Sequence, residues 1–542
     1  MERLNYNTLI SQGYDGYLLR EGPERVLQFG DGNFLRAFAD HFIDEMNEHS
    51  GFDAKVVVVQ PAAPKLNPKL NEQDGLYTLF LRGREHGERV NQKRVISCVS
   101  RVLNASEQWS DVLACAKNPD LRFIISNTTE AGIVYDGGCR KEDAPPKSFP
   151  GKLTQFLYER FRLGLRGFVI LPCELIDDNG RTLAKCIDQY IDLWNLGEEF
   201  RHWIAEENTI CDTLVDRIVT GYPKAEAASL CAELGYDDQM IDTAEVFGTW
   251  IIEGPTSLAK ELPFQQAGLP IQIVDDHAPY KQRKVRILNG AHTSMVLGAF
   301  LAQQDIVRGC MEDDVIRGFM NRTLFEEIIP TLDLPKDQLT EFAASVIDRF
   351  NNPYIDHSLL AISLNSTSKW KARVMPSLLE YVKRTNTLPP CITFSFAAYI
   401  AFYHAAKARG EGCLVGCRGT SDVEPGVRCP NTTCTNYYEV RDDDWVLDFY
   451  YDHRMDSAEE IVRSVIHCDR MWGDALINLT GGNPAAPGSD PVTFESAVFK
   501  ALKRIETVGM YRAMNEVLRS GSESSSSSDP MSGILTALEV KG

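Results

Sequence analysis

One short stretch of this chain concentrates side chains that could do chemistry. Lys281-Gln-Arg-Lys284-Val-Arg-Ile-Leu-Asn289-Gly-Ala-His292 has the pattern of a helix. At about 100° per residue, Lys284, Asn289 and His292 fall within an arc of about 140°, and Lys281 falls inside the same arc. One face therefore carries two amines, an amide and an imidazole. Reducing a carbonyl needs a proton donor at the developing alkoxide and hydrogen-bond donors around it. A lysine can donate that proton when burial and nearby cations lower its pKa toward neutrality. Lys281, Arg283 and Arg286 are the neighbouring cations. Asn289 and His292 would position and polarise the oxygen. The structural alternative is a solvated basic helix with a stray histidine.

Such chemistry needs a hydride source, and the N-terminal half has the pattern of a dinucleotide site. Arg25-Val-Leu-Gln-Phe-Gly30-Asp-Gly32-Asn-Phe-Leu-Arg36 is a strand, a Gly-x-Gly turn and a helix start. Gly30 permits the tight turn, and Gly32 lets the backbone approach a pyrophosphate at the helix N-terminus. Asn33, Phe34 and Arg36 are expected beside the cofactor. Leu35 stands where the usual third glycine would be, so the fingerprint is incomplete and a structural βα turn is the alternative. Gln60 ends the next strand, where an acidic residue commonly holds the adenosine ribose. A neutral amide can bond a 2′-hydroxyl without repelling a 2′-phosphate. NAD is the favoured cofactor, with NADP left open. Asn127, Thr128 and Glu130 follow a strand and would supply polar groups to the nicotinamide side, unless Ser126–Gly132 is simply a helix-capping turn.

The elements around these residues predict two domains. Strand-like runs at Arg25–Phe29, Lys55–Val59, Arg122–Asn127 and Gly167–Glu174 alternate with helical patterns, and the helix after the glycine turn is expected from Phe34 to His49. That is an α/β, Rossmann-like, doubly wound pattern, with Leu76–Arg82 and Arg94–Val99 as a hairpin or extra strands. Helical periodicity then dominates from Lys284 to Leu518, so a mostly α-helical C-terminal domain is expected. The expected domains are 1–276, 277–520 and a Ser/Glu-rich linker and tail over 521–542. Cys413, Cys417, Cys429 and Cys434 lie in a polar, turn-rich segment, where structural zinc or a disulfide competes with an ordinary loop of thiols.

Composition narrows the function classes. Apolar residues make up 44% and charged residues 24%, as in ordinary globular chains. A formal charge of −20 argues against nucleic acid or an anionic membrane as partner, while leaving room for a local cationic pocket. No secretory signal or spanning segment is visible, so a cytoplasmic location is expected.

Together these motifs resemble the long-chain mannitol dehydrogenase family of polyol and hexuronate dehydrogenases. The Lys284-x4-Asn289-x2-His292 spacing, Gly30–Phe38, Val215-Asp216-Arg217-Ile218 and Arg349-Phe-Asn-Asn-Pro353 carry the resemblance, which runs from about residue 23 to about 515. It implies Lys284 as the acid/base, Asn289 and His292 as the alkoxide-binding pair, Asp216 near the nicotinamide, and no metal. Departures point to the hexuronate branch. Leu175 replaces an asparagine that contacts polyols, Ala361 replaces an arginine, and Lys281 replaces an acidic residue, while Lys369 is kept. The implied small-molecule substrate carries a carboxylate, for which Lys281, Lys369 and Arg373 are the candidate partners. A polyol or fructuronate enzyme is the alternative within the family, and a non-catalytic nucleotide-binding sensor is the alternative outside it.

Overall fold

The computed structural model describes residues 1–61, 63–128, 132–418, 436–482 and 490–520. The expected tail after 520 lies outside the described residues. The fold divides into two compact units, Met1–Lys281 and Gln282–Gly542. The sequence pattern places this boundary near 276.

The first unit is built on a six-stranded parallel sheet. Its strands are β1 (Glu24–Phe29), β2 (Lys55–Gln60), β3 (Val99–Asn104), β4 (Phe123–Ser126), β5 (Val169–Pro172) and β6 (Thr209–Ile210), in the order β3-β2-β1-β4-β5-β6. The order reverses between β1 and β4, which makes the crevice beyond their carboxyl ends the natural ligand position. The central strands carry apolar side chains on both faces because both faces are covered. Val26, Val56, Val58, Phe123 and Ile125 enter one core, whereas Leu27, Phe29, Val57, Val59 and Ile124 enter another. Each such side chain contributes roughly 1.5–3 kcal/mol on burial.

The third parallel strand is a correction to the sequence reading. Val99 opens β3 rather than closing a hairpin. The hairpin itself is Tyr77–Glu85 against Glu88–Ile96, and Asp242–Ala244 adds a third strand to it. A further small sheet joins Asp212–Asp216, Thr249–Glu253 and Ile271–Val274.

The second unit is mainly helical. The apolar helix Pro390–His404 packs against Gly290–Leu301, Phe494–Val508 and Met510–Arg519. The strand Ala406–Gly410 follows this helix and pairs with the strand Cys413–Cys417, and Tyr437–Val440 completes a small antiparallel sheet. Cys413 and Cys417 are the two ends of the middle strand, while Cys429 and Cys434 lie outside the described residues. Among the described residues, no helix is long and apolar enough to cross a membrane.

Candidate active site

The glycine turn follows β1. Gly30 has φ +128°, and a Cβ there would stand 2.7 Å from the Asn127 carbonyl oxygen, so only glycine fits. Gly32 caps the next helix with extended backbone, and no atom lies within 4 Å of where its Cβ would be. The turn therefore presents open backbone at a helix N-terminus, the arrangement that receives a pyrophosphate. The chain then passes through Asn33–Leu35, a π-helical turn Arg36–Asp40 and the helix His41–Ser50.

The side chains of this turn face the protein. The sequence places Arg36 beside the cofactor, but its buried guanidinium donates to the Met240 carbonyl at 2.6 Å and the Asn33 side chain at 2.6 Å. It also lies 3.5 Å from the Asp242 carboxylate and over the Tyr77 ring. Phe34 stacks on Phe38 with ring centroids 5.0 Å apart. Gln60 is buried; its amide nitrogen donates to Asp31 at 2.7 Å, and its oxygen accepts from the Asn67 backbone at 3.0 Å. Asp31, between the two glycines, is thus a half-buried carboxylate held beside Gln60. The sequence reading passed over it, although its place between Gly30 and Gly32 is a signal.

Past β4, Asn127 donates to the Cys173 carbonyl at 2.7 Å. Thr128 donates twice to Glu174, and Ser126 donates to the same carboxylate. Burial pushes the Glu174 carboxyl above its usual range, while these donors pull it down. Glu174 thereby ties two strand ends together, a role hidden in a sequence that only marked Leu175 as a departure. Leu175 is exposed. Glu130 lies outside the described residues. Asp216 ends the strand Asp212–Asp216, buried and opposite Thr249. Lys281 pairs with Asp177 at 2.6 Å within this first unit, which commits its ammonium to a surface ion pair.

In the second unit the expected uniform helix is interrupted. Lys284–Asn289 forms a π turn, and α-helix resumes at Gly290–Leu301. In a π turn, residues five apart lie on successive turns, so Lys284 stands over Asn289 rather than far around the arc. Asn289 and His292 are three apart in the helix that follows and share its face. The three residues form a narrower stripe than α-helical geometry predicts. The neighbouring cations turn elsewhere: Arg283 lies over the Phe342 ring at 4.5 Å and Arg286 donates to Ser377.

His292 is the most informative member of the stripe. Its ring stacks on Phe350 with centroids 4.0 Å apart and planes 14° apart, and His357 stands edge-on at 5.4 Å. Its buried Nε2 has no hydrogen-bond partner among the described residues. Burial, then the charges of His357, Arg349, Arg373 and Lys369, hold its pKa well below the usual histidine value. The ring is therefore neutral, fixed in orientation, and has an unsatisfied polar edge. A ligand oxygen at Nε2 would remove that cost, which is typically about 1–3 kcal/mol for a buried unpaired group.

Lys369 donates to the Ile362 carbonyl at 2.8 Å, and burial followed by the Arg373 charge lowers its pKa. Arg373 is half-buried, and burial lowers its pKa as well. Ala361 is exposed. Phe350 and His357, which frame the imidazole, were absent from the sequence-derived candidates.

Comparison with known proteins follows this division. The mannitol dehydrogenase Rossmann domain matches residues 24–266, and the mannitol dehydrogenase C-terminal domain matches residues 276–416. An altronate oxidoreductase from Pectobacterium atrosepticum is 50% identical over 410 residues, covering 75% of this chain and 83% of that protein. An altronate oxidoreductase from an Enterobacter species is 44% identical over 486 residues, covering 88% and 95%. Among solved structures, substrate-free D-sorbitol dehydrogenase matches with a TM-score of 0.72 at 21% identity, covering 94% of this chain and 100% of that one. Pseudomonas fluorescens mannitol 2-dehydrogenase, in its ternary complex with NAD and D-mannitol, matches with a TM-score of 0.61 at 20% identity, covering 95% and 99%.

Proposed function

The chain belongs to the mannitol dehydrogenase family, and we propose that it is an NAD-dependent tagaturonate reductase, interconverting tagaturonate and altronate. The observation that carries this reading is the stripe of Lys284, Asn289 and a neutral His292 whose Nε2 has no hydrogen-bond partner among the described residues. The relatives named altronate oxidoreductase support the choice of substrate.

The tight turn at Gly30 and the open backbone at Gly32 fit a dinucleotide pyrophosphate. Asp31, held by Gln60, suits a ribose 2′-hydroxyl and would repel a 2′-phosphate, which favours NAD over NADP. Asn127, Thr128 and Asp216 are assigned to the nicotinamide side. When bound, the reduced nicotinamide supplies the hydride. Asn289 and His292 donate hydrogen bonds to the substrate's carbonyl oxygen, and these strengthen as it becomes an alkoxide. Lys284 gives that oxygen its proton in reduction and removes it in oxidation. The resting neutrality of His292 matters: an imidazole kept neutral has no net charge to lose as the oxygen gains and loses its own.

The test is a substrate panel with NADH and NADPH, following reduced cofactor. Tagaturonate should be consumed with NADH in preference to fructuronate and fructose. Turnover of fructose or oxidation of mannitol, without turnover of tagaturonate, would overturn the assignment.

A further inference from the structure

Three cations were candidates for a substrate carboxylate, and their surroundings separate them. Lys281 already holds Asp177. Lys369 already donates to Ile362, and its ammonium sits over the end of a short helix. Arg373 differs from both. It ends the helix Ser366–Arg373, is half-buried, and its guanidinium has no hydrogen-bond or ion-pair partner among the described residues. A partly desolvated guanidinium without an acceptor is costly, and a carboxylate is its best geometric complement.

The backbone places this group beside the reacting stripe. Helix Ser366–Arg373 packs on Gly290–Leu301 and on the π turn that carries Lys284 and Asn289. At Gly290, directly after Asn289, a Cβ would lie 3.3 Å from the Arg373 carbonyl oxygen, so glycine lets the two segments meet. Arg373 is also close enough to His292 for its charge to weigh on the imidazole. His357 approaches from another segment: its exposed ring stands edge-on to His292, with no side-chain hydrogen bond among the described residues.

Resting on the hexuronate reading above, we infer that Arg373 is the carboxylate anchor of the substrate, with His357 as a second donor to the same group. The ketone and the carboxylate stand at opposite ends of the carbon chain. A ketone at Lys284, Asn289 and His292 therefore needs a cation beyond that stripe, and Arg373 is the one not already committed. The planar fork of Arg373 binds both carboxylate oxygens, which a lysine does not. The site then selects sugar acids over neutral ketoses by charge as well as by shape.

The test compares tagaturonate with tagatose, which has a neutral hydroxymethyl group in place of the carboxylate, using NADH. For Arg373→Ala, the ratio of kcat/KM for tagaturonate to that for tagatose should fall by about a hundredfold, chiefly through KM. Arg373→Lys should lose less of the ratio, and His357→Asn should lower it by about tenfold. NADH binding and far-UV circular dichroism should be unchanged. Equal losses on both substrates, or an unchanged ratio in Arg373→Ala, would overturn the assignment while leaving the hexuronate reading intact. A wild-type protein inactive on tagaturonate would overturn both.

Discussion

The polar groups of the glycine-turn region and those of the catalytic stripe are handled in opposite ways. Around the turn, side chains are closed on the protein: Arg36 on Met240, Asn33 and Asp242, Gln60 on Asp31 and Asn67, Thr128 on Glu174. What stays open there is backbone at Gly32. Around the stripe, the side chains themselves are open, as at His292 Nε2 and the Arg373 guanidinium. A dinucleotide phosphate is satisfied by backbone N–H groups and a helix dipole, so the side chains can be used to stiffen the turn. A reacting oxygen changes charge during turnover and needs donors whose strength and pKa are tuned, which backbone cannot supply. Substitutions in the two regions should accordingly fail differently: in stability around the turn, in chemistry around the stripe.

The largest effect is expected at Lys284. Lys284→Ala should lower the hydride-transfer rate by about 10²–10⁴-fold, the usual range for losing a positioned acid/base. NADH affinity, read by fluorescence titration, should stay near wild type. A rate unchanged by this substitution would break the assignment of chemistry to the stripe.

The mirror case is Arg36. Arg36→Ala leaves the buried Asp242 carboxylate without its cation, and breaking such a pair costs about 3–5 kcal/mol. Burial already raises the Asp242 pKa to about 7, so protonation softens part of this loss in mild acid. The expected outcome is a lower melting temperature at neutral pH with kcat retained by the folded protein. Near-normal stability with a collapsed rate would mean that the turn region takes part in chemistry after all.

The sequence carried much of this division, with instructive gaps. The turn and the catalytic stretch are legible because each is local: Gly30 and Gly32, or Lys284, Asn289 and His292, lie within a few residues of one another. The π turn was not legible, since Lys284–Asn289 contains no proline or glycine to announce it, and the extra residue per turn only shows in backbone hydrogen bonding. β3 was misread because Arg94–Asn104 is a nearly continuous strand-like run, and only pairing with β2 separates the hairpin strand from the parallel one. The partners of His292 were invisible for a different reason. Phe350 ends one helix and His357 lies in the loop that follows it, and nothing in their local pattern points toward residue 292.

Histidine offers the finest test of the comparison, because each region contains one held neutral by burial. His41 and His292 both have pKa values pushed well below the usual one, first by burial and then by neighbouring cations. In the unfolded chain each would titrate near about 6.5. Below that pH the unfolded state binds protons that the folded state refuses, so each histidine's contribution is present above pH 6.5 and lost as pH falls, at up to about 1.4 kcal/mol per pH unit. His41→Asn and His292→Asn should therefore both flatten the acid side of a melting-temperature profile. Their effects on turnover should diverge. His41 Nδ1 is engaged by Arg217 at 3.2 Å, so its replacement should leave kcat little changed. His292 Nε2 has no protein partner among the described residues, so its replacement should lower kcat while the wild-type rate shows no ionisation of this ring near pH 6.5. Equal effects of the two substitutions on kcat would mean that the open edge of His292 is a packing defect rather than a place for the substrate oxygen.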